Sequence, residues 1–177
     1  MNDMNIDWTL IPKRIIDIGN LTNPYDICRL LKHWNIDWYL YRINYKGIVL
    51  KYGMSADNSK NHGDRLYRQI AHASCWNELQ NHGSSGRDFR GTEESLFKAY
   101  GIQMEREFLT VTVWDVTKYP FVTINPAKEV EQIESVLIQQ HIDATGHKPI
   151  GNIEHKKYLP KQPGIPAALY NRLFTEY

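Results

Sequence analysis

At 177 residues, with 42% hydrophobic and 23% charged side chains, the chain has the length and composition of one globular domain with a real core. No apolar run approaches the roughly 18 residues of a spanning helix, and the N-terminus, with Asp3 and Asp7, has no signal-peptide pattern, so a soluble cytoplasmic protein with no membrane partner is expected. Two distant cysteines, Cys28 and Cys75, exclude a zinc finger or a disulfide framework, and a net charge of +1 means that a nucleic-acid partner must be argued from where the charges lie.

Residues 1–20 mix apolar and charged positions, with Pro12 interrupting and Gly19-Asn20 turning, which reads as a short strand or arm. Pro24 after Asn23, then Ile27, Leu30, Leu31 and Trp34 at helical spacing, predict a helix over about 24–34. Two β-rich runs, 38–43 and 47–52, flank Asn44-Tyr45-Lys46-Gly47 and predict a hairpin. Alternation puts Tyr39, Tyr41 and Ile43 on one face of the first strand. In the second it pairs Val49 with Lys51, and Leu50 with Tyr52.

The polar stretch 56–63 reads as a loop, and Asp64 as the cap of a helix with Leu66, Ile70 and Ala73 inward. Arg65 and His72 share one edge of it. The glycine and serine loop 81–91 precedes a short helix from Thr92 to Tyr100, and residues 74–106 read as an insertion. Residues 108–116 alternate as a strand, Asn125-Pro126 starts the longest helix, about 126–143, and a tail from 153 ends in a short helix near 167–174. Hairpin, helix, strand, helix in that order predict an α+β domain with a small three-stranded antiparallel sheet. An N-terminal arm and helix (1–36) precede the core (37–152), and a tail (153–177) follows it.

Glu134 carries the strongest chemical signal. Val130, Ile133, Leu137 and Ile138 define the apolar face of the last helix, and Glu134 falls inside that sector, while Glu129 and Glu131 fall outside it. An inward carboxylate needs a metal, a cation or hydrogen-bond donors, and an arginine at the core edge would serve as well as an ion. Tyr41 and Lys51, on adjacent strands, would bring a phenol and an ammonium together near Arg65. Packing of the tyrosine and solvation of the lysine are the ordinary alternatives. His72 is suited to proton transfer, but His72, Cys75 and His82 match no standard metal spacing.

Taken together, these segments resemble the GIY-YIG nuclease superfamily. YLYRIN (39–44) stands where that family has its GIY strand, with Tyr41 at the tyrosine and Tyr39 in place of glycine. KYGMS (51–55) stands at the YIG motif, with Lys51 at its first position and Tyr52 one place later, leaving open which of the two serves there. Arg65 matches the family arginine, Glu134 with Leu137-Ile138 resembles the metal-binding glutamate, and Pro149 with Asn152 resembles the closing proline and asparagine.

The resemblance implies a divalent-metal-dependent endonuclease, of restriction or phage and mobile-element type, that hydrolyses double-stranded DNA. Glu134 would hold Mg²⁺ or Mn²⁺, Arg65 would clamp the phosphate, and Tyr41 would take the proton from water with Lys51 lowering its pKa. His72 would relay the proton and Asn152 would orient Glu134 or a metal-bound water. DNA contacts would come from Lys60, Arg68, Arg87, Arg90, Lys148, Lys156, Lys157 and Lys161, and a homodimer would cut both strands. A non-catalytic DNA-binding or scaffold protein retaining the fold is the competing expectation.

Overall fold

The computed structural model describes residues 6–23, 25–56, 66, 67, 70, 106–146, 149 and 152. The short helix from Thr92, most of the expected insertion and the tail lie outside these residues.

Four antiparallel strands form the sheet: β1 (Lys13–Asp17), β2 (Tyr39–Tyr45), β3 (Ile48–Ser55) and β4 (Leu109–Asp115), in the spatial order β1-β4-β2-β3. The α+β class is as expected, but the sheet has four strands among the described residues rather than three. The additional strand is β1, whose five residues leave only Ile16 buried and therefore show almost no alternation in sequence. It pairs with β4 from Lys13 opposite Trp114 to Asp17 opposite Thr110.

β2 and β3 run longer than their sequence pattern predicts, because the reversal needs only two residues. Lys46 and Gly47 both take positive φ, 49° and 74°, the left-handed conformations of a tight hairpin turn whose twist matches the flanking strands. α1 (Asp26–His33) starts two residues later than expected, with Asp26 accepting from the Asn23 amide at 3.0 Å. α2 (Pro126–Thr145) is capped by the Asn125 side chain, starts at Pro126 and ends at Gly146, whose φ of +80° suits a residue without Cβ.

The sheet carries a core on each face. On one side Tyr39, Tyr41, Ile43, Tyr45, Leu109, Val111 and Val113 pack against Ile27 and Leu31 of α1 and the helical residues Leu66, Tyr67 and Ile70. On the other, Leu40 and Tyr52 pack against Val130, Ile133, Leu137 and Ile138 of α2, with Ile11 and Val116 completing the layer.

A β-bulge in the hairpin changes one sequence expectation. Ile43 pairs with Lys51 but Asn44 pairs with Val49, so Leu50 is an extra residue in β3 and side-chain parity inverts across it. Val49 consequently packs toward α2, whereas Leu50 and Lys51 both take the α1 side. The expected groupings of Val49 with Lys51 and of Leu50 with Tyr52 are both broken. Lys51 and Tyr52 still face opposite sides.

Candidate functional site

Tyr41 and Lys51 do share a face. Tyr41 pairs with Gly53, and Lys51 lies two residues back along β3, opposite Ile43, a diagonal relation within the span of long side chains. Both are buried, at 1% and 4% exposure. The ordinary alternative of a solvated strand lysine therefore does not apply. An ammonium at that depth requires compensating acceptors or negative charge.

The glycine opposite Tyr41 has a specific task. A Cβ built on Gly53 would fall on the Cζ and Oη of Tyr41, so the phenol lies flat across β3 at the one position without a side chain. Among the described residues β3 is one of the two outer strands of the sheet, and Tyr41, rooted in the adjacent β2, thereby carries its hydroxyl across β3. A lone glycine inside a strand pattern was the available sequence signal for this close approach.

Glu134 is buried at 3% exposure, as its place on the helix predicts. At about 100° per residue it sits between Val130 and Ile138, inside the arc that also holds Ile133 and Leu137. That arc packs on the sheet face of Leu40 and Tyr52, opposite the face of Tyr41 and Lys51. The carboxylate and the phenol thus start from opposite sides of the sheet rather than side by side, because the α2 arc and the Tyr41 face belong to different core layers.

Two further groups stand on the α2 side. Tyr52 meets His141 of α2 edge-on, with ring centroids 6.0 Å apart. Asn152 is buried and spends both halves of its amide on the Tyr52 backbone: Oδ1 accepts from the Tyr52 N–H, and Nδ2 donates to the Tyr52 carbonyl, each at 2.9 Å. Asn152 acts there as a one-residue strand on the flank of β3 away from β2, holding that edge through one acceptor and one donor of its amide.

Glu129, placed outside the apolar sector by sequence, is nonetheless buried. Its carboxylate accepts from the amides of Thr123 and Val122 and so fastens the incoming loop to the first turn of α2. Burial pushes its pKa up, but the Thr123 hydroxyl and the two amides outweigh this and hold it below the ordinary value.

Arg65, His72, Lys60, Arg68, Arg87, Arg90, Lys148, Lys156, Lys157 and Lys161 lie outside the described residues. Leu66, next to Arg65, is fully buried in the core layer that contains Tyr41. Among the described residues no three His, Cys, Asp or Glu side chains converge as a ready-made metal cage. Comparison with family models, with characterised proteins and with solved structures finds no match for this chain.

Proposed function

We propose that the chain is a divalent-metal-dependent DNA endonuclease of restriction or mobile-element type, working at the β3 edge of the sheet. The observation that carries this reading is Glu134, a carboxylate at 3% exposure in the middle of the apolar face of α2, the helix packed on β3. Tyr41 of β2 and Lys51 of β3, on the other face of the sheet, supply a phenol and an ammonium.

A buried carboxylate is an oxygen donor and suits a hard ion that keeps waters and takes phosphate oxygens, hence Mg²⁺ or Mn²⁺ with Glu134 as its protein ligand. When bound, such an ion stabilises the charge developing on the phosphate and the leaving 3′ oxygen. Tyr41 Oη accepts the proton of the attacking water, and the Lys51 ammonium beside it favours the phenolate. Arg65 clamps a non-bridging oxygen through its planar donors, and His72 passes the proton on. Asn152 acts as a positioning residue, fixing the strand that carries Lys51. The basic residues at 60, 68, 87, 90, 148, 156, 157 and 161 supply backbone contacts to DNA, and two copies of the chain serve the two strands.

The burial of Tyr41 at 1% exposure favours a second reading, a fold-retaining protein that binds DNA without cutting it. Supercoiled plasmid with Mg²⁺ or Mn²⁺ separates the two. Nicking by the wild type that is lost in Glu134→Ala, with far-ultraviolet circular dichroism unchanged, supports the nuclease. Nicking that survives in pure Glu134→Ala overturns it, and a gel shift with no nicking supports the second reading.

A further inference from the structure

α2 covers the β2 and β3 end of its sheet face, while the 3₁₀ turn Trp8–Leu10 and Ile11 cover part of the other end. Between them is a pocket of about 380 Å³ lined by Trp8, Ile11, Lys13, Trp114, Leu137 and Gln140. It is separate from Tyr41 and Lys51, which face the other core layer. Its volume lies in the range of small-molecule sites, roughly 300–1,000 Å³.

The lining has a definite chemistry. The indoles of Trp8 and Trp114 are 6.4 Å apart and inclined at 60°, so a third flat ring can stack on one and meet the edge of the other. Ile11 and Leu137 add apolar lining, and the exposed Gln140 offers an amide that donates and accepts, the pattern that reads a base edge.

One cation lines the pocket and a second stands against one of its indoles. Lys13 stands exposed beside the pocket, and Arg42 lies over the Trp114 ring at 5.7 Å. The buried Nε of Arg42 has no hydrogen-bond partner among the described residues, and its terminal nitrogen makes only a 3.4 Å contact with Thr112. No carboxylate is among the lining residues, and the Asp7 side chain is turned to the amide and hydroxyl of Thr9.

We propose that this pocket binds one unpaired nucleobase, stacked on an indole, with a phosphate of the same strand at Lys13 and Arg42. Aromatic stacking accepts any base, and a base inside an intact duplex cannot enter, so the occupant is a single-stranded or extruded nucleotide. The proposal rests on the nucleic-acid part of the function above and is independent of its chemistry.

The test is a tryptophan-fluorescence titration of the whole chain with a four-nucleotide oligothymidylate in EDTA, where no cleavage occurs. Saturable quenching is expected, weakened about tenfold to a hundredfold by Trp8→Leu, the range set by loss of one stacking partner. Lys13→Gln should weaken it several-fold and flatten its salt dependence. Gln140→Ala, at an exposed helix position, checks the pocket with no demand on folding. Absence of quenching, or affinity unchanged in all three variants, overturns the proposal. So does equal affinity for inorganic phosphate or for a phenylalanine peptide. Plasmid nicking with Mn²⁺ is run in parallel: nicking without quenching removes this proposal alone, and quenching without nicking supports it while removing the catalytic reading alone.

Discussion

Replacing Gly53 by alanine tests whether the Tyr41 phenol needs the bare backbone beneath it. The added methyl would coincide with the Cζ and Oη of Tyr41. Neither partner can yield cheaply, since Tyr41 is fixed in register to Val113 on one side and Gly53 on the other, and its ring is buried among Tyr39 and the core layer. Overpacking of this kind costs about 1–3 kcal/mol, and expelling the phenol altogether brings the cost toward the about 3–5 kcal/mol of an aromatic truncation. For a chain of this size about 2–3 kcal/mol lowers the thermal midpoint by roughly 4–12 °C. The decisive comparison is Gly53→Ala in a Tyr41→Ala background. There the methyl enters space that the ring has left, and alanine is the better strand residue, so the substitution should be neutral or mildly stabilising. Urea denaturation of the four proteins gives the coupling directly. If Gly53→Ala costs the same with and without the ring, the phenol does not lie across Gly53 and the account of the β3 edge fails.

Asn152→Leu strips both partners from the Tyr52 peptide group, at about 1–3 kcal/mol for each buried group left dry, read as a lower denaturant midpoint. Asn152→Asp keeps only the acceptor and should fall between the two, whereas a neutral Asn152→Leu would remove the edge role. Glu129 sets an acid limit. Its folded pKa lies below the ordinary 4.5, so its stabilisation is complete above that value and is lost as pH falls through the folded pKa. Thermal midpoints of the wild type and Glu129→Gln should differ at neutral pH and converge in acid; a gap that stays constant from neutral to acid pH would contradict the assignment. For the reaction, Lys51→Met should abolish Mn²⁺-dependent nicking while Tyr52→Phe leaves it within a few-fold. The reverse result would move the reacting group to the α2 face.

The elements legible in the sequence were those with a strong period or cap. Residues 109–115 alternate cleanly, and α2 announces itself through Asn125, Pro126 and Gly146. Glu134 could be placed in the core because a helix maps sequence position onto angle with little error over two turns. Strands do not share this property once a residue is inserted. The bulge at Leu50 inverts parity, so Val49 and Lys51 part company in a way no count of alternate positions reveals. β1 reads in sequence only as a strand or arm because its edge position buries one residue in five. The burial of Glu129 is illegible for a related reason: it accompanies the amides of Val122 and Thr123 closing on its carboxylate at the helix start, a contact outside the helical period. The pairing of Trp8 with Trp114 bridges more than a hundred residues and leaves no local trace.

Why the reacting groups would gather at β3 follows from where the sheet can be crossed. Inner strands are closed on both sides, by β2 and β4 pairing with their neighbours, and side chains on opposite faces there are separated by a continuous ladder. Among the described residues β3 pairs with a strand on one side only, and it has a helix carrying a buried carboxylate on one face and a phenol and an ammonium on the other. An outer strand is ordinarily a liability, prone to pairing with other chains or to local opening. Here the side-chain amide of Asn152 occupies the Tyr52 peptide group on that flank without adding a full strand. Among the described residues that is the contact this flank of β3 makes, and under the proposed function the flank would have to admit a phosphate. Under the proposed function, a continuous fifth strand in place of Asn152 would stabilise the edge more and obstruct passage around β3 between the face of Glu134 and the face of Tyr41.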